Sequence, residues 1–234
     1  MPYIHDILAA NDKLMQKATS IQGLLSGTVR IGTLSSICVN WIPNIIKSFK
    51  VKFPNISVEV LQEDSYEYIT NQVRTGVIDI GFVSLSSFET LFTTPLHRDK
   101  LLFLASNDFK PIHEGYVTKE DLTDKNIIFQ RKGADSDTKM LLKKFGLTLY
   151  PQYIIEDDGS IVTLVENGFG VSIVPELVLK KTNGKVQAYP FFPQEYRTIG
   201  LVLQEIKLQT PATSEMYKNI IQFIKDNGLY NVES

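Results

Sequence analysis

Two adjacent serines, Ser35 and Ser36, follow the run Thr28-Val29-Arg30-Ile31-Gly32-Thr33-Leu34, whose alternating Val29 and Ile31 read as a short strand. They stand where a helical pattern opens, with Ile42, Ile45, Ile46, Phe49 and Phe53 on one face and Pro54 at its end. Free backbone N–H groups and hydroxyls at such a start can hold an anionic or carbonyl oxygen, and open α/β sheets bind ligands beyond their strands' carboxyl ends. The plain alternative is an N-cap with no ligand. Ser84 follows a third strand and either faces the same crevice or serves as a surface turn residue. Gln130 and Arg131 close another strand, where Arg131 suits a bidentate contact to a carboxylate or simple exposure to water. Glu156, Asp157 and Asp158 precede a helix at Ser160, and three acids in a row are either ligand-facing or a solvated turn and cap. If they do face a ligand, an anionic one needs Arg131 or helix N-termini to offset them, and a neutral or amine-bearing ligand enters consideration.

Enzyme chemistry finds little support. His5, His97 and His113 lie far apart without acid or cysteine neighbours at ligand spacing, so neither a zinc centre nor any other cofactor is expected. There is no Gly-x-Ser-x-Gly elbow and no Walker-type loop. Asp79 follows a helix-ending glycine and precedes a buried strand, which suits a local hydrogen bond better than a catalytic acid. The lone Cys38 excludes an internal disulfide and fits a reducing, cytoplasmic compartment.

Composition bounds the rest. The 234 residues, 43% hydrophobic and 21% charged, make an ordinary globular chain long enough for one large domain or two small ones. A formal net charge of -2 with pI near 6.0 gives no attraction for phosphate backbones, so any DNA contact must come from elsewhere. No run approaches the roughly 18 apolar residues of a membrane span, and the N-terminus lacks the basic-then-apolar pattern of an export signal.

These residues need elements to position them. Residues 56–60 alternate as a second strand, 65–75 have helical spacing through Tyr66, Ile69 and Val73 up to Gly76, and 79–83 form a third strand. Pro43 either kinks the first helix or starts a second at its first turn. Strand, helix, strand, helix, strand at this spacing predicts a doubly wound parallel sheet. Further strands are expected at 101–105, 126–130, 152–156, 171–174, 185–189 and 198–203, with helices at 135–145, 160–167 and 212–227. The result is an α/β fold of two lobes with a ligand cleft between them: residues 27–86 with 195–234, and residues 87–194.

Residues 1–22, ahead of the first lobe, read as one amphipathic helix. Counted in sevens, Ile4, Asn11 and Ala18 share one seam position and Ile7, Leu14 and Ile21 the other, a coiled-coil register in which the polar Asn11 fixes alignment at a cost in stability. Three heptads are too few to stand alone, so this stripe should meet a partner, the alternative being an ordinary helix packed on its own domain.

Four segments, in order, resemble the LysR-type transcriptional regulators. Gly27-Thr28-Val29-Arg30-Ile31-Gly32 is similar to the first strand of their effector-binding domain, and Ile42-Pro43, Phe49 and Phe53-Pro54 to its first helix. Gly76-Val77-Ile78-Asp79-Ile80-Gly81 resembles the next unit, and Gly168-Phe169-Gly170-Val171-Ser172-Ile173-Val174-Pro175 a segment of the second lobe. The resemblance spans the chain except for the family's N-terminal winged helix-turn-helix, and it makes residues 1–26 the end of a linker helix. It implies a type 2 periplasmic-binding-protein-like fold of two Rossmann-like lobes. It also implies a bacterial, cytoplasmic regulator that binds a small-molecule effector and forms homodimers or homotetramers, reaching DNA only through a domain outside this sequence. The segments matching Ser35, Ser36 and Glu156 to Asp158 line the family's effector cleft, and residues 41–53 are expected near a subunit interface or in the core. A transporter's solute-binding protein shares the fold and is the alternative, separated by the helical tail, the single cysteine and the missing export signal. An enzyme on the same scaffold, such as a prephenate dehydratase-like lyase, needs a catalytic hydroxyl with polar partners in the cleft, which Ser35, Ser36 and Ser84 leave open.

Overall fold

A computed structural model describes residue 11 and residues 26–85, 91–131, 136–148, 150–181, 184–205 and 209–232. Ile4, Ile7, Leu14 and Ile21 of the expected coiled-coil seam lie outside the described residues, while Asn11 is helical and exposed. From Gly27 the elements run β1 (Gly27–Thr33), α1 (Ser35–Asn40), α2 (Ile42–Lys52), β2 (Ile56–Gln62), α3 (Tyr66–Arg74), β3 (Ile80–Ser84) and β4 (Phe92–Ser106). A 3-10 turn at Lys119–Leu122 precedes β5 (Ile128–Gln130), α4 (Ser136–Lys144), β6 (Tyr153–Ile155), α5 (Asp158–Glu166), β7 (Ser172–Pro175) and α6 (Glu176–Leu179). The last elements are β8 (Val186–Pro190), β9 (Tyr196–Leu203) and α7 (Pro211–Asp226). Contacts divide the chain into two units, one ending at Arg98 and resuming at Thr198, the other comprising Asp99–Arg197.

In the first unit β2, β1 and β3 are parallel, with Val29 opposite Val58 and Gly32 opposite both Leu61 and Gly81. This matches the expected β-α-β-α-β run, but β9 joins antiparallel to β3, Ser84 opposite Ile199, so the sheet is mixed. Gly32 and Gly81, neighbours in register, leave room for Ile69 of α3. A Cβ on Gly81 would fall 2.7 Å from the Ile69 Cγ2 and one on Gly32 3.1 Å from the same atom, so helix and sheet close up only on glycine. Pro43 lies in the first turn of α2, where its missing N–H costs nothing, so of the two alternatives weighed for it the second holds: it starts a second helix, and α1 and α2 meet at Trp41. Trp41, Ile42, Ile45 and Phe49 are buried in this unit's core. Asn219 of α7 donates to the Ile45 carbonyl at 3.1 Å and fastens the last helix over α2.

The second unit is built on the latter half of β4, which pairs antiparallel with β7 through Leu102 and Val174 and with β8 through Phe103 and Tyr189. A parallel β5–β6 ribbon sets Phe129 beside Ile154. Strand alternation sorts the core into two layers. Phe103 and Phe129 pack with Leu141 and Leu142 of α4, whereas Leu104 and Ile128 pack with Ile161, Val162 and Val165 of α5.

Several boundaries differ from the expectation. The strand predicted at 101–105 is the end of a 15-residue strand. Its first half was hidden by Pro95, which breaks the usual strand pattern and argues for an edge. The units divide within β4 and β9, after Arg98 and Arg197, the first later than the change the sequence placed after residue 86 and the second close to the one it placed after 194.

Candidate functional site

The three parallel strands of the first unit end within two residues of Ser35, Asp64 or Ser84. Ser35 and Ser36 are not N-caps, contrary to the alternative weighed for them. Leu34 holds the cap position with extended backbone and no side-chain bond, and the serines are the first residues of α1. The orphan donors there go to Asp64, whose Oδ1 accepts the Ser35 backbone N–H at 2.8 Å and the Ser35 hydroxyl at 2.9 Å. The helix start expected to await an anion thus already carries one from its own chain. One turn on, burial and then the Asp64 charge push the Cys38 thiol above its ordinary pKa, so this carboxylate acts on both residues. Ser36 is 5% exposed, and its carbonyl accepts from the Asn40 side chain at 2.8 Å. Ser84 is a buried strand-end residue, 4% exposed, where a surface turn was the alternative, and the next N–H, of Leu85, donates to the Thr198 carbonyl at 2.7 Å.

In the second unit Gln130 ends β5 and donates to the Asp158 Oδ1 at 3.2 Å. Arg131 continues the ribbon through its N–H to the Ile155 carbonyl at 2.9 Å, and its Nε lies 3.8 Å from Glu156 in a solvated pair of little energetic weight. Asp157 is the N-cap of α5, which therefore starts two residues before the predicted Ser160, and its Oδ1 accepts the Ser160 N–H at 2.9 Å. Hydrogen bonds from the Ser160 side chain and then its backbone hold the Asp157 carboxyl below the ordinary aspartate range. Asp158 sits in the first helical turn. The acidic run thus has one capping member, one bonded to Gln130 and one beside Arg131.

Asp64 escaped the sequence reading. Its only local signal, an acid beside Ser65, points to the start of α3, which Ser65 caps by accepting the Tyr68 N–H at 3.3 Å. Also unforeseen is a buried ionic group: Asp99 accepts from the Arg197 Nε at 3.0 Å and from the Leu177 N–H at 3.2 Å, with Asp137 3.9 Å from the same guanidinium. Asp79, expected to hydrogen-bond locally, instead accepts the N–H of Arg30, 49 residues away, at 2.8 Å and so locks the start of β3 to β1. Among the described residues no group of three His, Cys, Asp or Glu side chains could hold a metal ion, and no helix is long and apolar enough to cross a membrane.

The profile of the family described as LysR substrate binding domain matches residues 22–224. The chain belongs to the LysR substrate-binding domain family. It is an effector-binding domain of a LysR-type transcriptional regulator, and the transporter alternative falls away. Among its relatives, the uncharacterized HTH-type transcriptional regulator YvbU of Bacillus subtilis (strain 168) is 26% identical over 207 residues, 88% of this chain and 70% of that protein. The effector-binding domain of QuiR in complex with shikimate superposes with a TM-score of 0.75 at 18% identity, covering 86% of this chain and 98% of that one. Full-length BenM gives a TM-score of 0.76 at 19% identity over 95% of this chain and 77% of its own. At these identities the structures establish the fold alone, the periplasmic-binding-protein-like type 2 arrangement.

Proposed function

We propose that this LysR domain senses a small metabolite bearing hydroxyl or amino groups. Its contact residues are Ser35, Ser36 and Ser84 on the first unit and Gln130, Arg131, Glu156, Asp157 and Asp158 on the second. The observation that carries the reading is the Asp64 carboxylate seated on Ser35 at the strands' carboxyl ends, where open α/β sheets take ligands. A carboxylate arriving at the Ser35 N–H meets a like charge already in place. A hydroxyl or ammonium group meets an acceptor. The second group, with three carboxylates and one guanidinium, favours the same chemistry, and the shikimate bound by QuiR supports a small polar ligand.

The effector acts by binding one conformational state better than another, and the shift is relayed to a helix-turn-helix domain of the full-length regulator. Self-association through the heptad seam of Ile4, Ile7, Asn11, Leu14 and Ile21 makes the working dimer or tetramer, and the net charge of -2 supports DNA contact made outside this domain. The protein works in the cytoplasm, with no membrane contact, no cofactor and no catalytic step.

A thermal-shift screen of amino acids, aromatic acids and sugar phosphates tests the site. A ligand specific to the folded state stabilises it by about 2.7 kcal/mol at a hundredfold excess over Kd. That stabilisation should vanish in Ser36→Leu and weaken in Ser84→Val, each first shown folded by near-UV circular dichroism. Stabilisation undiminished in both variants removes these serines from the site.

A further inference from the structure

We propose that the segment after the last helix, residues 228–232, is a clasp with a docked and a released state, which sets the β4 strand at the end of the first unit. The clasp itself does not depend on the effector site proposed above.

Its root is fixed. α7 ends at Asp226, and Gly228 turns the chain with φ at 62°, a conformation that favours glycine. The Gly228 and Leu229 N–H groups donate back to the Lys225 and Ile224 carbonyls at 3.1 and 3.0 Å, the paired bonds that close a helix end and aim the chain beyond it. Two attachments to consecutive residues of β4 follow. The Leu229 carbonyl accepts from the His97 Nδ1 at 2.6 Å, and because a carbonyl can only accept, that nitrogen carries the proton. Asn231 then takes both backbone groups of Arg98 with one side chain: its Oδ1 accepts the N–H at 2.6 Å and its Nδ2 donates to the carbonyl at 3.2 Å. Arg98 is the last residue of the first unit along β4.

A contrast in burial makes this segment a device. Its own residues are solvated: Gly228, Tyr230 and Asn231 are exposed, Tyr230 by 43%. It is held by a few polar bonds within reach of water, the kind of segment that opens locally at far less cost than global unfolding. What it holds leads straight into the core. His97 packs edge-on against Trp41 with ring centroids 5.6 Å apart, and Trp41, itself buried, packs edge-on against Phe82 at 6.5 Å. The next residue of β4, Asp99, is fully buried and paired with Arg197 at 2.8 Å. Because His97 and Arg98 are neighbours in one strand, the Leu229 and Asn231 attachments engage and let go together. Trp41 joins α1, which begins at Ser35, to α2, and Phe82 lies two residues before Ser84 in β3. A released clasp therefore loosens the packing behind both serines, and that consequence alone rests on the effector reading.

Native-state hydrogen exchange on the isotope-labelled domain tests the clasp. The Arg98 amide should exchange through a local opening that low concentrations of urea leave unchanged, whereas the amide of the fully buried Ile31 in β1 should exchange through a larger, urea-sensitive one. Asn231→Ala, at an exposed position, should lower the Arg98 protection factor about tenfold, and Asn231→Asp, which keeps the acceptor and loses the donor, by less. His97→Phe keeps a ring against Trp41 and loses the bond to Leu229; it should also lower Arg98 protection about tenfold, although His97 takes no part in the Arg98–Asn231 bond. An Arg98 amide as urea-sensitive as that of Ile31 shows no released state and overturns the proposal. Arg98 protection unchanged in Asn231→Ala, or unchanged in His97→Phe, overturns it as well, the latter by showing two independent bonds. None of these readouts uses a ligand, so failure of the effector site leaves them standing.

Discussion

Two helices of this domain, α1 and α5, start just past a parallel strand's carboxyl end, and at each start a carboxylate accepts a backbone N–H. The bonds are nearly equal in length, 2.8 Å from Ser35 to Asp64 and 2.9 Å from Ser160 to Asp157. Their origins differ. Asp157 is a local cap three residues from its partner and exposed, whereas Asp64 arrives from 29 residues away and sits half-buried. Similar geometry therefore carries different energetics: an N–H stripped of its acceptor at α5 turns to water, while at α1 a backbone N–H and a hydroxyl are left in a partly desolvated place. The first start is bound up with the proposed ligand site. The second, also among the proposed contacts, is a helix terminus completed by its own local sequence.

Substitution sharpens or breaks this contrast. Asp64→Ala should cost about 2 kcal/mol in urea denaturation, through the loss of two charge-assisted hydrogen bonds in a partly buried place, with Asp64→Asn recovering much of it. Asp157→Ala should cost about 1 kcal/mol, as lost caps do, and Asp157→Asn little. Equal costs for the two alanine variants would erase the distinction drawn here.

Acid offers a smaller and more selective probe. The Asp157 carboxyl is held below its ordinary range in the folded chain, so its contribution is complete above the unfolded value of about 3.9 and is lost as pH falls through the lower folded value. The stability advantage of the native protein over Asp157→Asn should therefore be constant near neutrality and shrink only below about pH 4. A gap that closes between pH 5 and 7 contradicts the assignment.

Smaller still is the effect on Cys38. Burial is the larger cause of its raised pKa, with the Asp64 charge second, so Asp64→Asn should lower the thiol pKa and quicken alkylation by iodoacetamide at mildly alkaline pH. Asp157→Asn should leave that rate alone. Faster alkylation in neither variant places Asp64 farther from α1 than its bonds to Ser35 imply.

The same contrast explains what the sequence could reveal. Features fixed by neighbours were legible: Pro43 starting a helix, Gly76 ending one with φ at 75°, and the parallel β1 to β3 run with its serines at strand ends. The capping role weighed for the acidic run at Asp157 is of this kind, although α5 began earlier than expected. What escaped depends on distant partners. Asp64 meets Ser35 across 29 residues and Arg197 meets Asp99 across 98, separations at which no local pattern records a contact. Pro95 hid the first half of β4, and the four residues of α6 are too few to show a helical period. The family resemblance supplied what periodicity lacked, a reason to name Glu156 to Asp158 together with Ser35 and Ser36 as candidates.

The central claim, that the residues around Ser35 and Ser84 receive the effector, is tested most directly by hydrogen–deuterium exchange with and without the strongest stabilising compound from the thermal-shift screen. The account predicts added protection at the amides of Ser35, Ser36 and Leu85, and its loss in Ser36→Leu. Protection that leaves those three amides untouched while the compound still stabilises the protein would contradict it.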